Sequence, residues 1–287
     1  MAFQLRKKER VAGGIRRITN EQTAAALGFL SDQSDDFEER IHNARRRIKR
    51  LRATLRLIRP EKHGLRYKTS DTALRNAAKK LATSRDADVA LATFERLAPD
   101  VSRTLAARIR ARLKAAVSRA RRRTISPRQL SVVIDKLRSS KRTIERIRPT
   151  GKGWRSLEPG IKKSYSSVRH TAQKLREDTE VTTIHQWRTA AKRLLHQLEL
   201  IPCVLGKSHR KLLPRLTKLC KILGEFHDMD ALAANPAIAK IPAIQKLIAH
   251  RMEHQRKVIR HMAGEIFSAH TRSFLGALRT GWAKWRA

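Results

Sequence analysis

Along almost the whole chain, apolar residues recur at spacings of three and four rather than alternating, so the pattern predicts helix throughout and no strand. Candidate helices run over 20–32, 35–59, 70–84, 86–98, 100–124 and 127–148, then 156–177, 181–201, 208–225, 228–234, 243–268 and 270–285. Asp35 or Asp36 and Ser70 read as caps, Pro60 as a stop, and Pro99, Pro127 and Pro242 as neighbours of helix starts. The stretch Pro149-Thr-Gly-Lys-Gly153 is the one obvious linker.

The residues on either side of that linker repeat. Ile41-His-Asn-Ala-Arg-Arg-Arg-Ile-Lys-Arg-Leu51 lies over Ile184-His-Gln-Trp-Arg-Thr-Ala-Ala-Lys-Arg-Leu194 at an offset of 143. The match runs on through Leu55/Leu198, Leu57/Leu200 and Ile58/Ile201, and it carries Pro99 onto Pro242. Arg85-Asp86-Ala-Asp88 over His227-Asp228-Met-Asp230 matches at 142, one residue of loop away. An all-α fold of two helical bundles from an internal duplication is therefore expected. Its parts would be a basic N-terminal tail at 1–17, a first half at 18–148, a linker at 149–155 and a second half at 156–287.

On the helix near 35–59, Ala44, Ile48, Leu51, Leu55 and Ile58 form the face expected to be buried. Beside it His42, Arg45, Lys49, Arg52 and Arg56 make a second stripe, spaced three, four, three and four. From Arg40 to Arg59 there are nine Lys or Arg and no acid. Like charges four apart repel by roughly 0.2–0.5 kcal/mol, and a merely solvated face normally mixes its signs. The copy keeps His185, Arg188 and Lys192 but has Leu195 and Glu199 where the first half has Arg52 and Arg56, so its site is shorter. Arg50 and Arg193 lie off the stripe. No acid stands between Val101 and Ile134, where Arg108, Arg112, Arg119 and Arg122 line one side of a helix. Arg75 and Lys79, followed by Arg85, offer a third basic helix, and Lys218 with Lys221 the comparable one in the second half.

Charge makes the partner anionic. The chain has 65 Lys and Arg against 25 Asp and Glu, a net charge of +40 whose self-repulsion an anion would relieve. Guanidinium forks give phosphate bidentate hydrogen bonds, and many cations at helical spacing suit a linear row of phosphates. With only Cys203 and Cys220, neither a disulfide scaffold nor a thiolate metal site is supported, and a reducing cytosol is expected. No apolar run is long enough for a spanning helix or a secretion signal. Asp86, Asp88, Asp228 and Asp230 read as caps or as partners orienting a nearby Arg or His. His250, His254 and His261 share a face with Lys257, but no third donor completes a metal set. Nucleotide-loop, metalloprotease, hydrolase-elbow and phosphatase signatures are absent, so no catalytic residue, metal or cofactor is assigned.

The paired His-x-x-Arg-x-x-x-Lys-Arg-Leu segments, with Arg85-Asp86-x-Asp88 and its counterpart, resemble the conserved-histidine α-helical domain family, CHAD, over about residues 18 to 285. The resemblance implies a stand-alone member with two bundles related by a pseudo-twofold axis, a basic central cleft or pore, and inorganic polyphosphate as ligand. His42, Arg45, Lys49, Arg50, His185, Arg188, Lys192 and Arg193 match the family motif. The expected function is non-catalytic polyphosphate binding in the cytoplasm, polyphosphate granules included, with no membrane partner. A non-specific DNA or RNA binder is the first alternative, although the stripes carry few aromatics for stacking bases. Phosphotransfer or phosphatase chemistry through a histidine is the second.

Overall fold

The structure is a computed structural model of the 287-residue chain. It describes residues 3–32, 37–58, 64–81, 85–122, 125–146, 151–206 and 209–287. Ser126 opens one of its helices with a capping box: its hydroxyl accepts from the Gln129 N–H, and the Gln129 side chain accepts from the Ser126 N–H. That helix is α6 (Pro127–Glu145), with Pro127 in the first turn as its neighbour status implied. Before it lie α1 (Val11–Ser31), α2 (Phe37–Leu57), α3 (Gly64–Lys80), α4 (Arg85–Glu95) and α5 (Arg103–Arg122). After it come α7 (Glu158–Glu177), α8 (Val181–Glu199), α9 (Leu212–Ala233), α10 (Pro242–Ile266) and α11 (Thr271–Arg286). The fold is all-helical, and no strand occurs among the described residues.

Helix α2 shows why the chain folds this way. Ile41, Ala44, Ile48, Leu51 and Leu55 are all nearly inaccessible, and Ile58 just beyond is buried as well. That face packs on α1, α3, α7 and α8. α1, α2, α3 and α6 form one packed group and α7, α8, α9 and α10 another, joined where α2 meets α8 and α7, while α4 packs on α9. At that junction Gly160 of α7 lies so close to the Leu57 carbonyl that any Cβ would collide with it. Gln197, wholly buried on α8, donates to the Ala53 carbonyl of α2 at 3.3 Å. The linker closes on Gly151 and Gly153, with φ of 83° and 57°, which glycine adopts without strain.

Four expectations need correction. Of the tail expected at 1–17, the described residues 3–17 are packed: Phe3 and Leu5 are buried, the Leu5 N–H donates to Leu200 O at 2.9 Å, and α1 begins at Val11. Burial of Val11, Ile15 and Ile18 outweighs the poor helix propensity of Gly13 and Gly14. Ser70 is no cap but a buried residue inside α3. The helices read at 208–225 and 228–234 are one, because Leu216, Leu219, Leu223, Phe226, Met229 and Leu232 continue a single buried face through His227. Asp228 and Asp230 therefore stand inside a helix and not at a bend. Asp35, Asp36 and Pro60 lie outside the described residues.

Candidate functional site

The two motif-bearing helices, α2 and α8, face each other across the seam between the two groups. On α2, His42, Arg45, Arg50, Arg52 and Arg56 are half-buried and Lys49 is exposed. Arg45 Nη1 donates to the Leu81 carbonyl at 3.0 Å, which ties the stripe to the end of α3. Arg52 and Arg56 both turn to Asp71 on α3, at 2.9 and 2.8 Å. Burial pulls the Asp71 carboxyl up, but hydrogen bonds and charge from these two guanidiniums outweigh it, so it titrates below its ordinary value. Asp71 was not legible as a site residue, although it is the only acid between Glu61 and Asp86.

On α8, His185 Nε2 pairs with Asp230 Oδ2 of α9 at 2.9 Å, and its ring stands edge-on to His227 at 4.8 Å. Asp230 thus orients a histidine, one of the two roles expected of it. Burial first, then the charges of Arg188 and His185, hold the His227 pKa below its ordinary value. Burial pushes the Cys220 thiol up to about 12 against the opposing pull of Lys192 and Arg188, so α9 presents a protonated thiol beside these two cations. Lys218 and Lys221 flank Cys220 on the exposed side of α9.

The two off-stripe arginines differ. Arg50 meets Glu199 of α8 at 3.5 Å and lies over the Phe3 ring at 4.7 Å, and Glu199 also holds His196 Nδ1 at 3.0 Å. Arg193 forms no ion pair among the described residues, and Asp71 acts on it only through its charge. Burial, followed by the charges of Arg56 and Arg52, lowers the Arg193 pKa, and its buried Nε, like that of Arg50, has no hydrogen-bond partner. It opens on a cavity of about 210 Å³ lined also by Arg56, Tyr67, Gly160, Lys163 and Ser164. Lys163 and Ser164 belong to the ordinary amphipathic pattern of α7, and nothing in the sequence singles them out.

The remaining expected site residues are not brought to this seam. Arg75 and Lys79 are exposed on α3. Arg85 begins α4, and its side chain lies outside the described residues. Arg108, Arg112 and Arg119 are exposed on α5, which packs chiefly on α4 and not on α2 or α8. His250 and His254 are exposed on α10, His261 pairs with Glu265 at 3.5 Å, and no three potential metal ligands converge among the described residues. None of the described helices is long and apolar enough to cross a membrane.

Comparison with known proteins gives one family and one fold. The family model described as CHAD domain matches residues 17–236. Among solved structures, the crystal structure of the CHAD domain from the plant Ricinus communis superposes with a TM-score of 0.61 at 19% identity, over 99% of this chain and 95% of that one. No curated protein matches. The family match takes in both motif-bearing helices and the seam between them, and the chain belongs to the CHAD domain family.

Proposed function

We propose that this chain binds inorganic polyphosphate along the α2–α8 seam, without turning it over. The observation that carries the reading is Arg193: a half-buried guanidinium with a buried, unpartnered Nε, facing Arg56 and Arg52 beside a cavity that Lys163 also lines. A cation surplus in a partly desolvated place is costly until an anion enters. Arg188 and Lys192 continue the same charge along α8 toward His185 and His227. A row of cations of this kind supports a chain of phosphates over a single phosphate, because each residue of the row meets a different phosphate.

The test is titration of the full chain with orthophosphate, ATP and polyphosphate of defined lengths. The variant Lys49→Gln/Lys192→Gln/Arg193→Gln is compared with a control triple of exposed cations elsewhere, Lys240→Gln/Lys246→Gln/Arg272→Gln. Charge-assisted hydrogen bonds contribute roughly 1.5–3 kcal/mol each, so the seam variant should lose polyphosphate affinity at least tenfold beyond the control. Equal losses in the two triples would sink the reading, as would ATP competing as well as long polyphosphate per phosphate. Steady phosphate release from polyphosphate with a divalent metal would replace binding by hydrolysis.

A further inference from the structure

We propose that the outer face of α5 is a second, separate polyanion surface, built to lie along double-helical nucleic acid. The helix is 20 residues long, or about 30 Å, and its core face of Ala106, Ile109, Leu113 and Val117 is buried. Its packing is chiefly on α4, so the opposite face is left to solvent.

That face has an order which a merely soluble helix does not need. Ala107, Ala111, Ala115 and Ser118, all exposed, make a track of small side chains down its middle. Along one edge run Arg108, Arg112 and Arg119, exposed and with no carboxylate paired to them among the described residues. Along the other run Arg103, Lys114 and Arg121, also exposed. At roughly 100° per residue the two edges are about 150° apart around the helix, with the small track between them. The α4 carboxylates lean to the second edge only: Asp88 meets Arg121 at 3.3 Å, and Glu95 meets Arg110 beside it at 2.7 Å.

Two rows of cations flanking a slim ridge fit two rows of phosphates flanking a groove. The major groove of duplex DNA is about 12 Å wide and admits one α-helix, whose flanking Lys and Arg then reach the phosphates of both walls. A single polyphosphate chain has one row of charge and would use one edge, leaving Arg103 and Lys114 of the other without a phosphate. Thr104 and Arg122 close the two ends of the track, and between them it offers only methyl groups and a hydroxyl toward the bases, so the contact is to the backbone and independent of sequence. Base stacking plays no part, which is why the lack of aromatics along the helix is no obstacle.

The experiment uses the full chain and a 20-base-pair duplex, with affinity measured by fluorescence anisotropy across a salt series. Arg108→Gln/Arg112→Gln/Arg119→Gln should lower the log–log salt slope for the duplex by about 2–3, since each phosphate contact contributes roughly 0.9. Circular dichroism should show an unchanged fold, because these side chains are exposed. The Lys240/Lys246/Arg272 control should leave the slope within about one unit. Polyphosphate affinity of the α5 variant should match that of the control, which keeps this surface distinct from the seam. The proposal is overturned if the unaltered chain does not bind the duplex, or if the control lowers the slope as much. It is also overturned if the α5 variant loses polyphosphate as strongly as duplex, which would assign α5 to polyphosphate instead.

Discussion

Asp71→Asn separates stability from binding at the seam. Its carboxylate serves two guanidiniums at once, and the three side chains are only 17, 22 and 25% exposed. Exposed ion pairs contribute about 0–1 kcal/mol, whereas breaking a buried pair costs about 3–5. This half-buried triad falls between, so the amide should cost about 2–3 kcal/mol at pH 7, or a fall in Tm of roughly 5–10 °C. The carboxyl is held below its ordinary value in the folded state, so its contribution is complete above the unfolded pKa of about 4 and is lost as pH falls through the folded one. Wild-type and Asp71→Asn melting curves should therefore converge in acid. Binding should move the other way, because freeing Arg52 and Arg56 beside Arg193 adds two donors for phosphate: polyphosphate affinity at pH 7 should rise severalfold. Melting followed by circular dichroism, with calorimetric titration at one salt concentration, measures both. A variant as stable as wild type from pH 3 to 8, or one that binds polyphosphate more weakly, would refute this account of the triad.

Cys203 is exposed and Cys220 buried with its thiol pushed up to about 12, so iodoacetamide at pH 8 should add one label to the native chain and two after denaturation, read by intact mass. His227 is neutral near pH 7 because burial depresses its pKa, and a bound polyanion beside Arg188 would raise it. Polyphosphate binding at about pH 6 should then take up protons, seen as a dependence of the binding enthalpy on the buffer's ionisation enthalpy. His227→Asn should diminish that uptake, and an identical uptake in the variant would remove His227 from the coupling.

The sequence was most informative where one periodicity decided the outcome. The buried face Ile41, Ala44, Ile48, Leu51 and Leu55 is the face the spacing predicts, and all-helical architecture follows from the same pattern elsewhere. Positions read as one-dimensional signals fared worse. Residues 1–17 read as a basic tail, but positions 11–17 belong to α1, where Val11, Gly14 and Ile15 are buried and Gly14 packs against the Leu5 and Glu9 side chains. The α2 stripe was legible as spacing, yet its pairing with Asp71 comes from α3 and is a tertiary event that no pattern within α2 encodes. Arg108, Arg112 and Arg119 look identical in kind to the α2 cations, and only the packing of α5 on α4 separates them from the seam.

The unequal environments of Arg50 and Arg193 bear on how a linear ligand would use the seam. The two residues occupy matching places in the repeated segments, as do Arg56 and Glu199. Where α8 supplies Glu199, Arg50 is neutralised from across the seam and covered by Phe3. Where α2 supplies Arg56, Arg193 meets another cation and forms no ion pair among the described residues, although the Nε of both arginines is buried without a partner. One change of sign between matching positions thus gives the seam one end with an ion pair across it and one cation-rich end. If this is the origin of the asymmetry, Glu199→Gln should release Arg50 and make the two ends alike. Polyphosphate affinity should then rise in Glu199→Gln and the salt slope should steepen by about 1, since one more cation joins the contact. A fall in affinity at unchanged fold would mean that Glu199 positions Arg50 for the ligand and does not withhold it.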